Sequence, residues 1–444
     1  MGYTSKRGRR PDEYASKSAH SHVIRDPDVL AFLTECNIPK KVTPLSFSPD
    51  ELFKYEPIAT NPIQTIIAVD GGFTEVPVQI EYPSATICFF QFGALIFSVE
   101  DLDRLQLQAF IDPDDMAKLK AIQRMKFTLP VRNIALKDAT SLTDSIRRSI
   151  YDFFCIKTDD DSLIDTLRWF LFTEYDQPSP HWILASCPSC HHNSIPLERA
   201  KMTASHTFNC PNCNGSIYLT DVLRLHEAVD DYLGAGGILG YVSTSFEQLI
   251  VAHLIRLILR TKPALLDHIL FVKDGPLAFF GQTANMHDPM RRLIRHLFSH
   301  HNLYLAGFEK SGAFVEHADE IAPKLPDGSY LVLDNDYIYK YILPGKADPA
   351  NPYGRTTYYG NKLIFKTSGG AMYVLSIPTS QILAYPKRQD FHNLEVILTN
   401  VEKLKCDMYD SSLIPVALVN QLVSLANHPS SRILQKFAVQ SVGH

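Results

Sequence analysis

The chain has 444 residues, 45% of them hydrophobic and 20% charged, with 21 Gly and 28 Pro, which is enough for two or three domain-sized units and excludes collagen-like repeats and long-range disorder. The net charge of −5 is mild, so a polyanion must be met by local basic patches rather than by the field of the whole molecule. No uncharged run approaches the roughly eighteen residues of a membrane span, and the first twenty residues carry positive charge without an apolar segment, so a soluble, unexported, cytoplasmic protein is expected.

The opening segment to about Asp26 is polar and holds Lys6, Arg7, Arg9, Arg10 and Lys17. It reads as a mobile basic tail within an N-terminal extension over 1–60, able to touch a phosphate backbone or simply to solubilise the chain. From Thr65 the pattern predicts short antiparallel strands in TIIAVDGG, TEVPVQIEYP, SATICFFQFG and GALIFSVE, punctuated at Gly71-Gly72, Pro83-Ser84 and Gly93. The first is nearly all apolar, as a central strand should be, and ends in Asp70. Helical periodicity follows over 112–125, 139–156 and 161–175, with start signals at Asp112-Pro113 and at Ser141 with Asp144. Helices are also expected in TDVLRLHEAVDDYLG and in TSFEQLIVAHLIRLILRT, which presents a wide apolar face. Next come the strand HILFVKDG, the helix DPMRRLIRHLFSHH and the strand NLYLAGFEK, a unit that makes parallel neighbours. Strands over 329–338, 356–368 and 371–378 and helices over 412–427 and 430–441 complete the chain.

Four of the eight cysteines form Cys187-x2-Cys190 and Cys210-x2-Cys213 with nineteen residues between the pairs. Two such pairs supply four thiolates at tetrahedral corners, the pattern of a closed structural Zn²⁺ site. A zinc ribbon over 181–220 is therefore expected between 61–180 and 221–444, with His191, His192 and His206 as unneeded substitute ligands. Cys36, Cys88, Cys155 and Cys406 read as small buried apolar residues.

Three antiparallel strands with Asp70 on the first, then helices, then a strand carrying Asp274 follow the element order of ribonuclease-H-like nucleases. The predicted fold class is α/β, a ribonuclease-H-like core with a mixed sheet interrupted by the four-cysteine ribbon. Two carboxylates at one sheet edge, joined by Glu247 from a helix, would suit two Mg²⁺ or Mn²⁺ ions acting on a phosphodiester. Each Asp-Gly pair taken alone also fits an ordinary turn.

IIAVDGGF with its meander, ILFVKDGPLAFFG and GFEKSGAF, in that order, resemble the NurA nuclease family over about 60–180 and 220–440. The resemblance implies Mn²⁺- or Mg²⁺-dependent cleavage of DNA, a homodimer, and partnership with a hexameric HerA-type ATPase in DNA end processing or anti-phage defence. Asp70 and Asp274 match the family's metal aspartates, Glu247 its helical glutamate, and Lys310 the lysine of its Lys-Ser element, which would hold the scissile phosphate. Glu227 rivals Glu247. Where the family offers a C-terminal His or Tyr, this chain has Asn420 and Gln421, with Asp334, Asp336 and His317 as fallback ligands. The ribbon departs from the family, making this an enlarged bacterial version.

Arg291, Arg292 and Arg295 on one helix, and Arg355 and Lys362 among the rings Tyr358 and Tyr359, are candidate DNA contacts; they equally suit a solvated helix and a strand. The rival function is a catalytically inert adaptor that docks DNA or a partner ATPase through the ribbon and its basic surface. A nucleotidyl or phosphoryl transferase with its own nucleotide has no Gly-x4-Gly-Lys-Ser/Thr to support it.

Overall fold

The computed structural model describes residues 23–43, 47, 50–79, 81, 83–100, 120–158, 161–405, 413–425 and 429–442. The basic tail, Cys406 and the helix start at Asp112-Pro113 lie outside these residues. A short helix α1 (Pro27–Glu35), capped by Asp26, precedes the sheet.

A nine-stranded mixed sheet organises the chain. Its first half comprises β1 (Leu52–Lys54), β2 (Thr65–Gln79), β3 (Ala85–Ser98) and β4 (Lys120–Arg132). Three two-stranded hairpins follow: β5 (Lys157–Thr158) with β6 (Asp161–Ser162), β7 (His181–Ser186) with β8 (Asn193–Glu198), and β9 (Thr207–Asn209) with β10 (Ser216–Tyr218). The second half is β11 (Ile269–Asp274), β12 (Tyr304–Glu309), β13 (Ser329–Val332), β14 (Gly360–Lys366) and β15 (Met372–Pro378). The spatial order is β1-β13-β14-β15-β12-β11-β2-β3-β4. β11 runs parallel to both β2 and β12, and every other pairing is antiparallel. This gives the α/β, mixed-sheet, ribonuclease-H-like adjacency expected from the sequence, with the Asp70 and Asp274 strands side by side.

The four short strands expected before residue 100 are two long ones, and Asp70 sits inside β2 rather than at its end. Gly71 and Gly72 make no turn, because their missing side chains serve packing. A Cβ on Gly72 would lie 2.4 Å from the Val423 carbonyl oxygen of helix Ile414–Val423. Residues 120–125, read as helical, are the first half of β4, whose residues cross-pair with β3; tertiary pairing overrides local periodicity. The segment after the cysteines forms two 3₁₀ turns, Leu219–Leu223 and Leu225–Ala228, separated by Arg224 at φ 59°, instead of a helix. Cys36 is exposed, not buried.

Alternation along the central strands divides two apolar layers. Ile67, Val69 and Phe271 face one core together with α2 (Leu142–Phe154), α3 (Leu163–Leu171), α4 (Leu239–Thr261) and α5 (His287–His300). Ser141 and Ser162 cap α2 and α3 by accepting the backbone N–H of the residue three positions on. Ile66, Ala68, Leu270 and Val272 face the other, covered by α7 (Leu394–Lys403) and α8 (Ile414–Val423). Helix α6 (Ala313–Ile321) packs under β14 and β15 in a third cluster, and α9 (Ser430–Val442) lies against β2. The stretch Gly236–Thr261 is long and apolar enough to cross a membrane, and 78% of its most apolar window is buried within the protein.

Candidate functional site

β2 and β11 are in parallel register, Val69 opposite Lys273, so the next row places Asp70 beside Asp274. Both side chains leave the sheet with the parity of Ala68 and Val272. β11 ends there: Gly275, at φ +82°, turns the chain away, and its N–H donates to the Phe308 carbonyl at 2.6 Å. Only a residue free of Cβ strain takes that conformation readily. The two aspartates thus stand where the parallel part of the sheet stops and the β2–β3–β4 arm continues.

Asp70 is 4% exposed. Its Oδ1 accepts the Gly71 N–H at 2.8 Å, while Oδ2 is buried without a hydrogen-bond partner. Burial above all, then the charges of Glu247 and Asp274, push its carboxyl up to about 8, against the pull of the Gly71 N–H and Lys310. An orphaned buried carboxylate oxygen costs free energy unless a proton or a cation satisfies it.

Glu247 arrives from α4, on the opposite layer. The absence of a side chain at Gly71 admits it: a Cβ there would lie 2.9 Å from Glu247 Oε1. The carboxylate accepts from Ser243 Oγ at 3.2 Å and pairs with Lys273 Nζ at 2.7 Å. Burial raises its pKa, with Lys273 opposing. Lys310, just beyond β12, pairs with Asp274 Oδ2 at 2.6 Å.

All four residues singled out in the sequence therefore lie around this edge: Asp70 and Asp274 in one row, Lys310 paired with Asp274, and Glu247 behind Gly71. Sequence reading missed Lys273, although a lysine inside the apolar strand ILFVKD was the available signal. It also missed Gln248, whose amide donates to the Pro276 and Ala278 carbonyls at 3.1 and 3.2 Å and whose oxygen accepts from the Tyr359 hydroxyl.

The other candidates fall elsewhere. Glu227 pairs with Arg224 at 2.6 Å. His317 is buried against the Tyr337 hydroxyl at 3.0 Å, and Asp334 accepts the Tyr337 N–H. Asp336 faces the Tyr385 hydroxyl at 3.4 Å. Asn420 and Gln421 are exposed. Lys362 is 2% exposed and paired with Glu309, and Tyr359 is fully buried; neither offers a surface contact to DNA, while Tyr358 keeps a small exposed edge. Arg291 donates to the carbonyls of Arg355 and Tyr358, so it braces a loop. Arg292 pairs with Asp288 at 3.4 Å. Arg295 and Arg355 are exposed.

A second cluster lies in the two small hairpins at 181–218. The four sulfurs of Cys187, Cys190, Cys210 and Cys213 lie within 4.8 Å of one another, with Cys187–Cys213 and Cys190–Cys210 both at 3.8 Å. A tetrahedron with metal–sulfur bonds of about 2.3 Å has edges of about 3.8 Å, so this set can bind zinc. Each half repeats one turn, His191 N–H donating to the Cys187 carbonyl at 3.0 Å and Asn214 N–H to the Cys210 carbonyl at 2.9 Å, and the Ser189 and Gly215 N–H groups point at Cys187 Sγ and Cys213 Sγ, both at 3.4 Å. Among the described residues no other group of three or more His, Cys, Asp or Glu ligands is gathered this closely; the three carboxylates stand farther apart. Leu184, Ile195, Leu197, Phe208 and Ile217 of the hairpins belong to the same core as α2 to α5.

No family model matches the chain, and no curated protein matches it. Among solved structures it is similar to the NurA nuclease from Sulfolobus solfataricus, with a TM-score of 0.35 and 7% identity over 88% of each chain. A second structure described as NurA gives a TM-score of 0.22 and 12% identity, over 88% of this chain and 91% of the other.

Proposed function

We propose that the chain is a metal-dependent DNA nuclease of the NurA kind, and the observation that carries this reading is the buried, partnerless Asp70 Oδ2 in one row with Asp274 at the end of the parallel strands. Asp70, Asp274 and Glu247 offer hard oxygen donors that suit Mg²⁺ or Mn²⁺. When bound there, such an ion supplies Lewis-acid charge to phosphoryl chemistry. The chain's own groups do the rest. Lys310, released from Asp274, holds a non-bridging oxygen of the scissile phosphate. Lys273 fixes Glu247 from behind, and Gln248 braces the Pro276–Ala278 wall. The four cysteines hold Zn²⁺ as scaffold. Following the motif resemblance, the active form is a homodimer working with a HerA-type hexameric ATPase in end processing or defence.

One observation favours the inert adaptor: Lys273 and Lys310 already neutralise two of the three carboxylates. Cleavage of labelled single- and double-stranded DNA in Mg²⁺, Mn²⁺ or EDTA, with Asp274→Asn alongside and with the ATPase added, separates the two. Ion-dependent cleavage lost in the variant supports the nuclease. Cleavage retained by the variant, or none even with the ATPase, sinks it.

A further inference from the structure

A cleft of about 590 Å³ opens beside the carboxylates, within the range of small-ligand sites. Asp274, Glu309 and Lys310 line it together with the rings Phe280, Phe314, Tyr353 and Tyr358. Phe280 stands edge-on to Tyr358 at 5.8 Å, and Tyr353 lies 5.5 Å from Tyr358 and 5.4 Å from Phe314. Behind them the Lys362 ammonium sits 4.1 Å from the Phe314 centroid and 4.8 Å from that of Tyr358, its charge met by Glu309.

The walls are tied in place. Phe279 N–H donates to the Thr357 carbonyl and Tyr359 N–H to that of Leu277, each at 3.0 Å, and Arg291 holds the carbonyls of Arg355 and Tyr358. Four rings around a pre-formed slot, with a cation already behind two of them, suit an uncharged planar partner on the open side. Asp274 and Lys310, which would receive a phosphate, line the same cleft.

We propose that this cleft is a nucleobase subsite, which stacks one unpaired base of the nucleotide flanking the scissile phosphate. The assignment rests on the nuclease reading for its position and on the rings for its chemistry. A base can enter only if it is unpaired, so the substrate is single-stranded DNA or a frayed end, and stacking makes the subsite tolerant of sequence.

The test uses single-stranded oligonucleotides with one abasic position walked along the strand, cut by the full chain, by Phe280→Leu and by Tyr353→Leu. Leucine keeps apolar bulk and removes the ring face; melting curves confirm that each variant is folded. The expected result is a loss of about tenfold in cutting only at bonds flanking the abasic position, with both variants cutting intact strands as slowly as the wild type cuts abasic ones. Equal cutting of abasic and intact sites by the wild type overturns the subsite and leaves the nuclease standing. If nothing is cut even with the ATPase added, the nuclease reading has failed, and fluorescence of a 2-aminopurine oligonucleotide titrated in Ca²⁺ decides the subsite. Quenching by the wild type and not by the variants supports it. Equal quenching, or none, overturns it.

Discussion

Asp70 carries a cost that its neighbours do not relieve. In the unfolded chain its carboxyl loses a proton near 3.8, whereas the fold holds that proton up to about 8. The folded state therefore binds more protons across this window, and stability falls as pH rises through it. Asp70→Asn is expected to raise the melting temperature of metal-free protein at pH 8 while abolishing cleavage, and Mn²⁺ should stabilise only the wild type. Thermal melts in EDTA and in Mn²⁺ check both statements; a variant that melts lower at pH 8 contradicts them. His317 has the opposite dependence. Burial lowers its pKa from 6.5 to about 4, so the unfolded chain takes up the proton first and stability is lost as pH falls from 6.5 towards 4, by up to about 3 kcal/mol. His317→Gln should flatten that limb of a urea-denaturation series between pH 4 and 7. Individual residues were the most legible part of the sequence, because Asp70 and Asp274 each end an apolar run. Lys273, which neutralises Glu247, was not, since pairing across layers leaves no periodic trace; Lys310 was reached through the motif resemblance.

Elements were legible where one local rule acted alone. Ser141 announced α2, helical periodicity announced α3, and the apolar face of α4 announced a helix. The glycines of β2 misled because the same residue that permits a turn also permits close approach, and only the positions of α4 at Gly71 and α8 at Gly72 decide which. Gly72→Ala puts a Cβ against the Val423 carbonyl, so it should cost about 1–3 kcal/mol and lower the denaturation midpoint. A midpoint unchanged within error would show that α8 shifts freely. The cysteine spacing was the plainest signal in the chain, yet it did not reveal that the hairpins share the main core. Cys210→Ser, or a strong chelator, is accordingly expected to lower the melting temperature of the whole chain in a single transition. Metal analysis should find one zinc per wild-type chain.

For the whole molecule, the sequence conveyed the order of strands but not which cations reach solvent. Arg295 and Arg355 are exposed, while Arg291 and Lys362 serve internal structure. The Arg295→Gln/Arg355→Gln double variant should weaken DNA binding uniformly across sequences and reduce the slope of log affinity against log salt by about 1 for each phosphate contact removed. An unchanged slope would remove both from the DNA path.

The pairing of β2 with β11 also fixes when the carboxylate row can form. Asp70 leaves the ribosome roughly two hundred residues before the strand that carries Asp274, an interval of about 10–40 s at synthesis rates of roughly 5–20 residues per second. The cysteine knuckles, whose ligands are close in sequence, can close within that interval. The carboxylate row cannot, so a nascent chain carries half of the proposed site and acquires the other half only once most of the molecule has been made.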